Sequence, residues 1–242
     1  MKYLDAVFTT MKIGGFIKTT LLDWEGKVAC TVYLTGCDFR CPYCHNRDLV
    51  LHPDKVEGVD EGKMLEYIKE NSDFLDGVVI SGGEVLINTG TLPLIKKLRK
   101  LGMKIKIDTN GSHPDVLEDL LGAGLVDMVA MDIKTSLNER YDRATGTKTD
   151  TENIRRSIRI VMNSAPDYEF RTTVAPIFVK SEDIENICKE IEGAKKYRIH
   201  QFRPKNTLDE TLSVLDPYPE SKLLEMAEIA RKYVKDVKIR GI

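Results

Sequence analysis

The run Val28-Ala29-Cys30-Thr31-Val32-Tyr33-Leu34 leads through Thr35-Gly36 into Cys37-Asp38-Phe39-Arg40-Cys41-Pro42-Tyr43-Cys44-His45-Asn46. Its first part is rich in β-branched and aromatic residues, as a buried strand requires. Its second part breaks into a loop with three thiols in eight residues, spaced C-x3-C-x2-C. A strand that delivers reactive groups at its C-terminal end is the unit from which parallel α/β folds build their sites. Three neighbouring thiolates can hold three irons of a four-iron cluster. The fourth iron then lacks a protein ligand and can take a small molecule.

Other uses of these thiols have to be weighed. Structural zinc takes four ligands, usually as two separated pairs. Here the only nearby fourth candidate is His45, whose side chain diverges from that of its neighbour Cys44. The remaining cysteines, Cys30 and Cys188, are isolated and read as small buried hydrophobes. A disulfide framework is disfavoured by the odd, low count of five cysteines. A zinc site and unrelated core thiols stay open beside the cluster.

The 242 residues are 42% hydrophobic, enough for one sizeable core and too few for two comfortable domains. The charges nearly balance, 36 basic against 38 acidic, which argues against nucleic-acid binding as the main task. No apolar run approaches the ~18 residues of a membrane span. Asp5 interrupts what would be the apolar core of a signal peptide. The chain is therefore expected to be cytoplasmic, with no membrane contact. Met11 reads as an alternative start, with the first ten residues a loose extension.

Strand-like and helix-like segments alternate beyond the cysteine loop. Gly77 to Ser81, Lys104 to Asp108, Val126 to Ile133, Tyr168 to Val174 and Tyr197 to Phe202 read as strands, with Val237 to Arg240 a further one. Amphipathic helices are predicted over Gly62 to Glu70, Leu92 to Leu101, from Pro114 through Leu121, Thr151 to Asn163, Ser181 to Ile191 and Glu220 to Val234. This pattern predicts a parallel sheet in a single α/β domain: a partial (β/α)6 TIM-like barrel, with a flat doubly wound sheet as the competitor. Residues 1–27 are read as an N-terminal extension and hairpin packing on the barrel, and residues 28–242 as the barrel itself.

Polar residues recur where these strands end. Ser81-Gly82-Gly83-Glu84 follows the second strand, and its glycines let backbone approach a ligand closely, although Gly-Gly also serves plain tight turns. Asp108-Thr109-Asn110-Gly111 ends the third strand and Asp132-Ile133-Lys134 the fourth; either alone reads equally as an ordinary strand exit or a rim ion pair. Gln201 and Arg203 end the sixth. Arg171 lies inside a β-rich run, where an unpaired arginine is costly unless it meets a partner or a polar site. His52, His113 and His200 show no paired spacing and read as surface or structural histidines.

Taken together, the cysteine loop and Gly82-Gly83-Glu84 resemble the radical S-adenosylmethionine superfamily. Met11-Lys12-Ile13-Gly14-Gly15-Phe16, Tyr43-Cys44-His45-Asn46, Met131-Asp132-Ile133-Lys134, Phe170-Arg171-Thr172-Thr173 and Gln201-Phe202-Arg203-Pro204 are similar to segments of glycyl-radical enzyme activating enzymes. The likeness is strongest to the group around the anaerobic ribonucleoside-triphosphate reductase activating protein. It implies one [4Fe-4S] cluster on Cys37, Cys41 and Cys44. It implies S-adenosyl-L-methionine held by Tyr43, Cys44, His45, Gly82, Gly83, Glu84, Asp132, Ile133, Lys134 and Arg171. Asp108, Thr109 and Met131 match positions that hold a monovalent cation in related activases. Implied partners are a glycyl radical enzyme, with anaerobic ribonucleotide reductase as one identity, and reduced flavodoxin or ferredoxin as electron donor. Implied chemistry is reductive cleavage of S-adenosylmethionine to a 5′-deoxyadenosyl radical that takes hydrogen from a partner's glycine.

The chain departs from the family in places. Val85 stands where proline usually follows Gly-Gly-Glu, a change expected to loosen the loop. No cysteine-rich insert is present. Arg203-Pro204 replaces a histidine-containing segment of the formate-lyase type activators, which leaves the substrate open. An alternative is a radical enzyme acting on a small molecule or nucleoside, similar to a deazapurine synthase. A third reading is a non-catalytic, metal-stabilised binding module.

Overall fold

The computed structural model describes residues 11–242. The reading of the first ten residues as a loose extension lies outside the described residues.

Eight strands form one sheet in strict chain order: β1 (Ile13–Thr20), β2 (Ala29–Leu34), β3 (Gly77–Gly82), β4 (Lys104–Thr109), β5 (Met128–Asp132), β6 (Asp167–Val174), β7 (Lys196–Gln201) and β8 (Asp236–Arg240). β1 runs antiparallel to β2, and every later neighbour pair is parallel. The crossovers carry α1 (Arg47–Leu51), α2 (Glu61–Glu70), α3 (Thr91–Lys100), α4 (Pro114–Gly122), α5 (Tyr141–Thr145), α6 (Thr151–Ser164), α7 (Ser181–Glu190) and α8 (Glu220–Arg231). Parallel crossovers of constant hand in sequential order put every helix on one face, so the sheet curls around the other. The six βα units of a partial barrel are β2 through α8, and β8 adds a seventh parallel strand.

Local chemistry explains the elements. Inner strands such as β3 and β5 are almost wholly buried, as strands covered on both faces must be. In α6, Ile154, Ser157, Ile158 and Val161 fall on one buried stripe at helical spacing, and Asp150 caps its start by accepting from Glu152 N. Asp60 caps α2 in the same way. The five-residue helices α1 and α5 are too short to show a period, and the sequence reading passes over both.

The inner face alternates along each strand with period two, and it is charged rather than apolar. Lys106 is 2% exposed and lies 3.6 Å from both Asp108 and Glu169. Arg198 is fully buried, 3.6 Å from Glu169 and 2.7 Å from Asp236. At the end remote from the cysteines, the turn between β1 and β2 folds under the sheet. Trp24 packs there with Ala29, Val79 and Met128. Glu25 in the same turn receives Arg198 at 3.3 Å, Arg240 at 3.0 Å and the Lys238 ammonium. β1 and β8 are the two edges of the sheet, and this turn ties one to the other.

Candidate active site at the strand ends

The C-terminal ends of β2 to β6 enclose a cavity of about 220 Å³. Its wall brings together Cys37, Cys41, Tyr43, Cys44, His45, Gly82, Gly83, Glu84, Asp108, Thr109, Asp132, Lys134 and Arg171. These residues come from five loops spread over the chain. Ile133 is not among them: it is fully buried in the sheet, its N–H donating to Arg171 O at 2.9 Å. Met131 is also buried away from the cavity, and Gln201 turns aside to donate to Tyr218 O at 2.7 Å.

The cysteine loop is pinned from three sides. Gly36 N donates to Leu49 O at 2.8 Å, Arg40 N to Thr145 O at 2.7 Å, and Leu208 N to Cys44 O at 2.9 Å. The β3 loop lies directly on it. Gly83 N donates to Leu34 O and Glu84 N to Gly36 O, each at 2.9 Å. A Cβ on Gly83 would sit 1.8 Å from Gly36 O, and one on Gly82, whose φ is +115°, would sit 2.3 Å from Leu34 O. The two glycines thus permit backbone to meet backbone. With these amides engaged, the loop offers a ligand oxygens rather than N–H groups. Val85 does not loosen it: Val85 is fully buried, its carbonyl accepts from Thr91 Oγ1 at 2.6 Å, and it opens a short 3-10 turn capped by Glu84.

Glu84 is 1% exposed and joins three strand ends. It accepts from Leu86 N at 3.0 Å, Thr109 Oγ1 at 2.8 Å and Asn110 N at 2.6 Å. Burial, reinforced by the nearby Asp38 carboxylate, pushes its carboxyl up to about 7. Asp38 and Asn110 are contributors that spacing did not single out. Asn110 Nδ2 donates to Asp38 Oδ1 at 2.8 Å, and His113 Nε2 lies 3.2 Å from Asp38 Oδ2. His113 therefore anchors the cysteine loop. Asn46 Nδ2 donates to Gly82 O at 2.5 Å and closes the ring of loops.

The far wall is a line of alternating charge. Lys134 Nζ lies 3.1 Å from Asp132 Oδ2, Arg171 Nε lies 2.7 Å from Asp132 Oδ1, and Arg171 also lies 3.2 Å from Asp108. Burial alone would raise the Asp132 carboxyl, but the Arg171 guanidinium and the Lys134 ammonium hold it well below the usual carboxylate range. The charge of Asp108 is answered by Arg171 and Lys106, and the Thr109 hydroxyl serves Glu84. The three positions matched to a monovalent cation are thus not drawn around a shared point.

The thiols suit a cluster better than a lone ion. Among the described residues, no three His, Cys, Asp or Glu side chains converge on one metal-ion position. A four-iron cluster asks for a different arrangement, with each thiolate on its own iron around one cavity. Burial pushes the Cys41 thiol up to about 12 and raises Cys37 and Cys44 as well. Bound iron would supply the positive charge that makes them thiolates.

Residues 31–191 match the Radical SAM superfamily. A Methanocaldococcus jannaschii protein provisionally named a glycyl-radical enzyme activating enzyme is 34% identical over 237 residues, spanning 95% of this chain and 96% of that one. The pyruvate formate-lyase-activating enzyme of Clostridium pasteurianum is 28% identical over 189 residues, 74% of this chain and 76% of its own length. Among solved structures, Streptococcus suis SuiB bound to S-adenosylmethionine is similar in fold, with a TM-score of 0.66 at 13% identity over 85% of this chain and 48% of that one. No described helix is long and apolar enough to cross a membrane. On the cysteine loop, the sheet that presents it and this sequence likeness, the chain is a radical SAM enzyme and belongs with the glycyl-radical enzyme activating enzymes.

Proposed function

We propose that the chain activates a glycyl radical enzyme, using one [4Fe-4S] cluster held by Cys37, Cys41 and Cys44 and S-adenosyl-L-methionine bound beside it. The observation that carries the reading is the meeting of the three cysteines with Gly82, Gly83, Glu84, Asp132, Lys134 and Arg171 on one cavity. When bound, the cluster and S-adenosylmethionine supply one-electron cleavage of a carbon–sulfur bond, and the 5′-deoxyadenosyl fragment takes hydrogen from a glycine of the partner.

The protein's own groups have separable tasks. Glu84 and the β3 loop oxygens suit a cationic amino group. The Arg171 and Lys134 cations suit a carboxylate, and Asp132 suits hydroxyl donors. Tyr43 and His45 stand on the cysteine side, where they would flank the adenine. Deep burial of the wall excludes water, which protects a reactive fragment from side reactions. The electron donor in this reading is a reduced flavodoxin or ferredoxin.

The test is anaerobic reconstitution with iron and sulfide, reduction, and addition of S-adenosylmethionine. Methionine and 5′-deoxyadenosine should form with the parent chain and not with Cys41→Ala. Equal cleavage by that variant overturns the cluster assignment. Spin resonance of a candidate partner then reads the glycyl radical.

A further inference from the structure

The inference concerns how the protein tunes its cluster, and it rests on the reading of Cys37, Cys41 and Cys44 as cluster ligands. Sulfur ligands are stabilised by donors, and each donor makes the reduced cluster easier to reach. Cys37 Sγ accepts from Phe39 N at 3.4 Å, two residues further on. The amide of Asn46 serves Cys44 with the same spacing. Cys41 instead faces a buried polar group made of Lys134, Tyr43 and Tyr141.

Two members of that group are accounted for. Lys134 Nζ lies on Asp132 Oδ2 at 3.1 Å, and Tyr141 accepts from Lys134 N at 3.3 Å. Tyr43 is not. It is 4% exposed, its ring packs on Phe178 with centroids 5.4 Å apart, and it lines the cavity. Its hydroxyl is shielded from solvent and has no hydrogen-bond partner among the described residues. Leaving a buried hydroxyl unpaired costs ~1–3 kcal/mol. A tyrosine two residues from a cysteine, held rigidly with its hydroxyl idle at the wall of the cavity, is set for an acceptor that the cavity receives.

We infer that the Tyr43 hydroxyl donates a hydrogen bond to sulfur on the Cys41 side of the cluster and, with the Lys134 ammonium behind it, raises the reduction potential. The acceptor is either the Cys41 thiolate or an adjoining cluster sulfide, and both give the same direction of shift. Tyr43 is a positioning and tuning residue here: it exchanges no atoms with the substrate. Its neighbours agree with this placing, since Cys41 and Lys134 are the charged groups that act most strongly on it after burial itself.

The test uses the full chain, reconstituted anaerobically, with S-adenosylmethionine left out. Tyr43→Phe keeps the ring and its packing on Phe178. Iron and sulfide contents should equal those of the parent, while the midpoint potential moves negative. Pulsed spin resonance of the reduced parent in deuterated water should show an exchangeable deuteron coupled to the cluster. That coupling should be lost in Tyr43→Phe and kept in Tyr141→Phe. An unchanged potential with the deuteron retained overturns the inference. If only affinity for S-adenosylmethionine falls, the hydroxyl serves the cofactor and the inference is equally overturned. A parent chain that takes up zinc or no cluster sinks the underlying reading, and the metal assay reports that separately.

Discussion

Asp132 and Arg171 are register partners on adjacent parallel strands, and their side chains close the same gap, Arg171 Nε to Asp132 Oδ1 at 2.7 Å. Arg171 also reaches Asp108 on the next strand over, at 3.2 Å. One guanidinium thus balances two carboxylates under the cavity. Replacing it with methionine leaves both without their main counter-charge. Arg171→Met should lower stability by about 3 kcal/mol, because breaking a buried pair strands the remaining charge. Urea unfolding of the metal-free chain measures this. An effect below about 1 kcal/mol would show that the pair is a surface-like contact.

The glycines of the β3 loop give a sharp contrast. Gly83→Ala drives a Cβ to within 1.8 Å of Gly36 O, a backbone atom that cannot swing away. The β3 loop and the cysteine loop must part, so iron uptake should fall severely along with stability. Gly122→Ala is the control, since a Cβ there meets nothing within 4 Å. It should leave iron uptake intact and change stability by no more than about 1 kcal/mol, in the favourable direction. Normal iron content in Gly83→Ala would contradict the described loop contact.

Asp38 predicts a pH dependence. Burial would raise its carboxyl, but hydrogen bonds from His113, Ser112 and Asn110 bring it down to about 2 from an ordinary 3.8. A carboxyl depressed on folding adds stability above its unfolded value and loses it as pH falls through the folded one. His113 acts in the opposite direction. Burial alone would lower it, but Asp38 raises it above 6.5, so its contribution is present at lower pH and lost as pH rises through the raised value. The pair is strongest between these limits. Asp38→Asn should therefore destabilise the metal-free chain most near pH ~5, by about 2 kcal/mol, with little difference near pH ~2. Urea midpoints at several pH values decide it, and a constant difference down to low pH would refute the account.

Much of this site was legible in the sequence because its residues sit at strand ends, where a period-two apolar run stops and a polar residue follows. Cys37, Gly82, Asp132 and Lys134 were found that way. Strand order was legible too, since sequential βα units leave few topologies. Lys106, Glu169 and Arg198 escaped notice, although the signal was present. Each alternates with apolar neighbours in Lys104-Ile105-Lys106-Ile107, Tyr168-Glu169-Phe170-Arg171 and Tyr197-Arg198-Ile199. Such alternation ordinarily marks a solvated face, and only the curl of the sheet turns that face inward. Asp38 and Asn110 were hidden for another reason. Their roles depend on loop-to-loop contacts across 72 residues, which no local pattern encodes. The inclusion of Ile133 followed from its place between Asp132 and Lys134, but a strand sends alternate side chains to opposite faces.

The turn that carries Glu25 has a consequence for the whole sheet. A closed barrel fixes its own girth through an unbroken backbone ladder. In this fold, coulombic attraction between Glu25 and the cations of β7 and β8 spans the gap instead, much as a buckle closes a belt. Because Glu25 is 44% exposed at its side chain, ionic strength can loosen that buckle. Salt then becomes a dial on how far the last strand stands from the first. Amide exchange in β8 should quicken at high salt while β3 and β4 hold, so the enzyme's girth would breathe at the end away from its chemistry.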